Sequence, residues 1–381
     1  MDFNLSEEQR IALDGWRRFL ERDVRPVTEQ HLDHVIPAPV LKRLLGMTVE
    51  HGVGCGWVPE ADGGLGLDFL TSGLLYEELA RVSADLAGAA FVNEGAAIKL
   101  HHLGSPEQKE RYLAPTLRGE LIGCSAISEP DVGSDVRAMR TRAVRQGEHY
   151  RITGEKMWIS NSSIADYITV VAATGEQEFT MFLLDRAEHG FETREIEKLG
   201  LNGWSLGQIT LQDVVVPASS VMGEPGGGLR ETMKGFERSR CFISLLGLGL
   251  ARASLDASIT YAQQRRQFGK PIGGHQLVQQ LIAEMATELD AARLMVYRAL
   301  SLLDQGRGTN IEAAMAKAFA TEAVLRITSK AVQVHGAFGI SREFPVERHF
   351  RSARMLTIPD GTTQVNNLII GRILLGISAF T

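Results

Sequence analysis

The chain has little of several things, and each scarcity excludes a class of protein. Its 381 residues include only three cysteines, Cys55, Cys124 and Cys241. They lie too far apart to share a metal-ligand spacing or to frame a disulfide scaffold, and reduced thiols of a cytoplasm-like compartment are expected. There is no basic surplus: 40 Lys and Arg stand against 46 Asp and Glu, a formal net charge of -6, with no basic run beyond a pair or so. A nucleic-acid partner, which wants a basic face, is therefore not expected. No apolar run approaches membrane-spanning length, and Met1–Gln9 is polar and acidic instead of basic and then apolar, so neither a membrane partner nor a secretory signal is expected. Internal repeats and low-complexity tracts are missing too. His101, His102 and His335 find no further ligands at a suitable spacing, so no metal is expected. What is present, 44% hydrophobic and 23% charged residues, is ordinary for a soluble, cytoplasmic globular protein of two or three packed units.

The patterning divides the chain at 1–119, 120–228 and 229–381. The first segment reads helical: Ser6 with Gln9 makes a capping-box start before Leu13, Trp16 and Leu20, and Ser105-Pro106-Glu107-Gln108 starts another helix. In the second the period changes to two. Tyr150–Thr153, Tyr167–Val171, Phe179–Leu184 and Ile209–Leu211 are short strands with turns and no helices between them, which predicts an antiparallel barrel or sandwich. Gly223–Gly228 then breaks the chain and is no dinucleotide loop, because no βαβ unit surrounds it. In the third segment Leu277, Leu281, Met285, Leu289, Ala292, Val296, Leu300 and Leu303 step by three or four, and Thr309 with Glu312 reads as a capping box, together predicting a helical bundle. Helices, then strands, then helices is a segregated α+β order.

Several separated motifs add a family. Thr357-Ile358-Pro359-Asp360-Gly361-Thr362-Thr363-Gln364 places a lone carboxylate at a glycine turn and resembles the acyl-CoA dehydrogenases, whose pattern there is aromatic, Glu, Gly, Thr, any residue, Gln. The resemblance covers nearly the whole chain. It implies an N-terminal helical domain, a central β-barrel domain and a C-terminal four-helix bundle, with FAD and an acyl thioester between them. Ser128-Glu129-Pro130-Asp131-Val132-Gly133-Ser134-Asp135 is similar to the family's T-E-P-x-x-G-S-D segment. By that match Ile127 and Ser128 lie at the flavin pyrimidine edge, while Gly133 and Ser134 approach the pyrophosphate. Lys156-Met157-Trp158-Ile159-Ser160-Asn161 resembles K-x-W-I-T-N, which puts the Trp158 indole over the isoalloxazine and Ser160 at its N5 edge.

In the bundle, Arg265-Arg266-Gln267-Phe268-Gly269 is similar to R-x-x-F-G. The match implies that Arg265 reaches the pyrophosphate of a neighbouring subunit's FAD, with Phe268 and Gln276 beside it. Gln333 and Gly336 correspond to a segment near the adenosine end, where Ala337 replaces the second glycine of a pair. Thr362 and Gln364 also line the cofactor. These contacts imply a homotetramer. Phe236, Arg240, Gly361 and Glu94 fall on the substrate side, and an electron-transferring flavoprotein is the implied acceptor.

Asp360 is the implied base for the α-proton, one methylene shorter than the family's glutamate. Some family members carry the base at the position of Ser239, which a serine cannot replace. Reacting atoms must come within about 3–3.5 Å, and an error of about 1 Å costs on the order of a hundredfold. The shorter acid therefore asks for an inward backbone or an α-carbon presented differently. Aspartate here resembles the dehydrogenases of cyclohexane-carboxyl-CoA, which favours a cyclic or α-branched acyl group. Open beside it are a carrier-protein-tethered acyl substrate, a non-catalytic flavin-binding subunit, and a nitroalkane-oxidase-like enzyme, although Asn367 stands where that relative has arginine. Glu94 as a second acid in a 1,4-dehydrogenation is weighed against a structurally bonded glutamate.

Overall fold

The computed structural model describes residues 6–379; the first five residues of the Met1–Gln9 segment lie outside them. Helix α1 (Glu7–Phe19) starts at the expected capping box, the Ser6 hydroxyl accepting from the Gln9 amide at 3.1 Å and the Gln9 side chain accepting in return. Helix α2 (Ala38–Val49) follows. The long α3 (Phe69–Leu103), interrupted by non-helical Ser83, buries 22 of its 35 residues.

The strands are β1 (Gly123–Ala126), β2 (Arg142–Gln146), β3 (His149–Ser160), β4 (Tyr167–Gly175), β5 (Glu178–Asp185), β6 (Glu192–Glu195), β7 (Leu206–Pro217) and β8 (Val221–Met222). They form one sheet in the order β6-β7-β3-β2-β4-β5-β8, with β1 parallel on β4. Its two ends do not pair with each other, so the sheet is open and the expected barrel is corrected. Strand periodicity reports pairing but not closure. Here β2 and β4 share a single bridge, Arg142↔Ala173, and β8 is two residues long, so the ladder turns a corner without coming full circle.

Then come α4 (Phe236–Gln264), α5 (Gln276–Asp304), α6 (Asn310–His335), α7 (Val346–Leu356) and α8 (Thr363–Leu375). The stripe on α5 is buried at Met285, Leu289, Ala292, Val296 and Leu300, while Leu277 is 76% exposed. Thr309 forms no capping box. Its amide and hydroxyl both donate to Glu237 at 3.0 and 2.7 Å, a tertiary partner that outcompetes the local one. Contrary to the sequence expectation, α4 is long and apolar enough to cross a membrane. That apolar window is 72% buried among its neighbours. A Cβ on Gly249 would lie 2.5 Å from that of Ala80, and one on Gly73 would strike Leu300 and Leu245. Glycine thus lets α3 lie directly against α4, and their facing sides enclose the site. Cys55, Cys124 and Cys241 are buried free thiols.

Candidate active site

Asp360 stands on the turn between α7 and α8, with φ 55° followed by φ 92° at Gly361. Two successive left-handed residues explain part of the sequence. Glycine takes this region freely, and aspartate is among the few side chains that visit it readily. The turn is tied down from below. Fully buried Lys317 of α6 donates to the carbonyls of Thr357 at 3.0 Å and Gly361 at 2.7 Å. Asn366 donates to those of Gly361 and Thr362 at 2.8 and 3.1 Å, and the Thr362 hydroxyl caps α8 by accepting from Val365. No described residue accepts from the Asp360 backbone N–H.

Burial pushes the Asp360 carboxyl above the usual carboxylate range, against a hydrogen bond from Ser239 and the charges of Lys317, Arg240 and Lys99. Ser239, set aside in the sequence as unable to act as base, lies beside the Asp360 carboxyl and opposes the rise in its pKa, while its hydroxyl donates to the Phe236 carbonyl at 3.5 Å. Arg240 is buried, donates to Asn310 at 2.9 Å and keeps its Nε without an acceptor. Phe236 lies beside it, its ring 5.9 Å from the guanidinium carbon.

Glu94 is fully buried, and its carboxylate accepts from the amides of Gly54 and Trp57 at 3.2 and 2.9 Å and from the Tyr76 hydroxyl at 2.6 Å. Burial raises it to about 7. These are bonds of a structural kind, tying Glu94 to the loop at residues 54–57 and to Tyr76. Around it Trp57, Tyr76 and Phe91 pack on Phe242 at 4.5, 5.1 and 5.9 Å between ring centroids, an aromatic wall across α3 and α4.

On the sheet side the two flavin motifs are joined. The Met157 amide donates to the Ser128 carbonyl at 2.9 Å. Lys156, without exposed surface, donates to the Ile127 carbonyl and to Glu129, both at 2.9 Å. Glu129 in turn accepts from the amides of Arg140 and Thr141 at 2.6 and 3.0 Å. Lys156 and Glu129 received no role in the sequence, although they sit inside the quoted motifs. The pairing of β3 with β7 slips between Lys156↔Ile209 and Ile159↔Gly207, so β3 carries one extra residue there. At that bulge Trp158 has φ 65° and stays 53% exposed. A bulky residue forced left-handed and turned out of its sheet marks a functional position. Ser160 lies half-buried at the strand end, and Gly133 and Ser134 are exposed; a Cβ on Gly133 would meet no atom within 4 Å. An open indole, an open glycine and an exposed hydroxyl fit the flavin and pyrophosphate that the motifs imply.

Arg265, Phe268, Gln276, Gln333 and Gly336 do not join this cleft. They cluster, exposed, at the other end of α4, where Tyr261 stacks on His335 at 4.3 Å and Arg265 lies 5.8 Å from the Phe338 ring. Gln364 is exposed on the first turn of α8. Among the described residues no group of three or more His, Cys, Asp and Glu side chains is disposed to hold a metal ion.

Comparison with known proteins gives the family. The acyl-CoA dehydrogenase N-terminal, middle and C-terminal domains match residues 6–120, 124–214 and 226–375. The chain belongs to the acyl-CoA dehydrogenase family. It is 36% identical to a probable acyl-CoA dehydrogenase, YngJ, of Bacillus subtilis (strain 168), over 98% of this chain and 100% of that one. It is 35% identical to cyclohexane-1-carbonyl-CoA dehydrogenase of Geobacter metallireducens, over 98% and 99%. Among solved structures, the FAD complex of PigA superposes with a TM-score of 0.90 at 30% identity, covering 98% of this chain and 99% of that one. This acyl-CoA dehydrogenase family member is an oxidoreductase with FAD as its cofactor.

Proposed function

We propose that the protein removes the α-proton and β-hydride of an acyl thioester, with Asp360 as the base, to give the α,β-enoyl product. The observation that carries this reading is the Asp360 turn: a desolvated carboxylate beside Ser239, on a backbone pinned by Lys317 and Asn366. Desolvation strengthens the base by raising its pKa, and the pinned turn removes positional slack. The Asp360 N–H, free of any described acceptor, is the chain's own donor for the thioester oxygen as negative charge develops there. Bound FAD supplies the acceptor for the β-hydride. Trp158 shields the flavin position from water, and Lys156 with Glu129 fixes the Ile127–Ser128 backbone at its edge.

A cyclic or α-branched acyl-CoA is the favoured substrate. Asp360 is one methylene short, and a relative of this chain is named for cyclohexane-1-carbonyl-CoA. Coenzyme A is the proposed carrier, an electron-transferring flavoprotein the proposed oxidant of the reduced enzyme, and a homotetramer the working unit. The exposed Arg265–Phe268 cluster supports this, since it needs another subunit to meet a flavin. The test is anaerobic titration of the purified enzyme with cyclohexane-carboxyl-CoA, isobutyryl-CoA and straight-chain acyl-CoAs, read from loss of the oxidised flavin band. Rapid bleaching by a cyclic or branched thioester is the expected result. A bound flavin that no CoA thioester bleaches would remove CoA dehydrogenation and favour a carrier-protein substrate or a non-catalytic role.

A further inference from the structure

Between residues 91 and 100 of α3, only Val92, Gly95 and Lys99 are not fully buried. They are three and four apart, so one helix face looks into a gap. A Cβ on Gly95 would meet no atom within 4 Å, so the gap is real space. Arg238 enters the same region from α4, its guanidinium carbon 4.5 Å above the Trp57 ring and 5.9 Å from that of Phe69. The aromatic wall suits the apolar body of an acyl group. The two cations standing in it do not.

Neither cation makes a hydrogen bond or ion pair with a described carboxylate; the charge of Glu94 acts on Arg238, and that of Asp360 on Lys99, only at a distance. The Lys99 ammonium donates to the Ser125 hydroxyl at 2.7 Å and has no ion pair with a described residue. No described residue forms a hydrogen bond or ion pair with the Arg238 side chain, and its Nε is buried without an acceptor, as is the neighbouring Trp57 Nε1. The two nearest carboxylates are committed elsewhere. Glu94 holds the loop at residues 54–57, and Asp360 already has Ser239, Lys317 and Arg240. Both cations are half-buried; desolvating an unpaired cation is costly, and two in one apolar cleft, beside an orphan indole N–H, form a donor set lacking its acceptor. Their desolvation is visible in their acidity, burial pulling Lys99 down to about 8 and Arg238 to about 10.

We propose that Lys99 and Arg238 receive a carboxylate at the far end of the acyl group, so that the substrate is the mono-thioester of a dicarboxylic acid. The proposal rests on the reading of Asp360 as the base of an acyl thioester dehydrogenase, and it adds what the opposite end of that acyl group carries. A carboxylate there accepts charge-assisted bonds from both cations, whereas a neutral chain leaves them desolvated and unpaired.

The test compares matched thioesters by anaerobic flavin bleaching: glutaryl-CoA against valeryl-CoA, adipyl-CoA against hexanoyl-CoA, and 4-carboxycyclohexane-carboxyl-CoA against cyclohexane-carboxyl-CoA. In at least one pair the carboxylated member is expected to show the higher kcat/KM, by about tenfold to a hundredfold. Arg238→Met and Lys99→Met should each lower that ratio by about tenfold or more, and Arg238→Lys should restore part of it. Bleaching by the neutral members with every carboxylated partner slower would overturn the proposal and leave the dehydrogenase standing. A preference for carboxylated thioesters untouched by either methionine variant would overturn the assignment to these residues. Bleaching by none of the six would remove the dehydrogenase reading, and this proposal with it.

Discussion

The two ends of α4 are built on opposite principles. At its N-terminal end Ser239 and Arg240 face a turn whose carbonyls are taken up by Lys317 and Asn366. At its C-terminal end, 29 residues and about 40 Å away at ~1.5 Å per residue, Phe268 is 94% exposed, Leu277 76% and Ile340 78%. One end is complete within a single chain. The other is an apolar surface with an arginine on it, which the proposed homotetramer would cover. The proposed chemistry lies at the first end, and the proposed assembly and cofactor retention at the second.

Removing the base strikes the first end hardest. Asp360→Ala is expected to slow flavin reduction in stopped flow by about 10²- to 10⁴-fold while FAD stays bound. Lys317→Met tests the pinning. It strands the Thr357 carbonyl and weakens the hold on Gly361, and about 2 kcal/mol should be lost in urea unfolding. The lysine charge opposes the rise of the Asp360 pKa, so its loss should also move the acidic limb of the rate profile to higher pH. At the far end, Arg265→Ala is expected to raise the FAD dissociation constant by about tenfold in equilibrium dialysis, an effect that Asp360→Ala lacks. The smallest effect is the pH response itself. Asp360 works deprotonated and its pKa is raised by burial, so flavin reduction should be lost as pH falls through a value above the ordinary aspartate pKa of about 3.9.

Local signals were legible in the sequence. Ser6 with Gln9 and Ser105 with Gln108 form their capping boxes because donor and acceptor are three residues apart. Thr309 with Glu312 fails by the same logic, because Glu237 on another helix reaches the threonine first. The motifs around Trp158 and Ser128 were legible as the proposed flavin edge. The bulge that turns the indole outward and the Lys156–Glu129 pair that joins the motifs needed coordinates. Lys99 and Lys317 drew no notice in the sequence, and Arg238 received no role there although it lies within the Phe236–Arg240 segment matched to the substrate side. Only the packing of α3, α4 and α6 reveals that these three stand in or beside the cleft. Glu94 was noticed for its position, but its role depends on amides 40 and 37 residues away.

Deuterium exchange isolates the step assigned to Asp360. Phenylacetyl-CoA has α-hydrogens and no β-hydrogen, so proton removal proceeds without hydride transfer. Incubated with the enzyme in D2O and followed by NMR, it should take up α-deuterium with the wild type and at least about a hundredfold more slowly with Asp360→Ala. Equal exchange by the two proteins would contradict the assignment of Asp360 as the base.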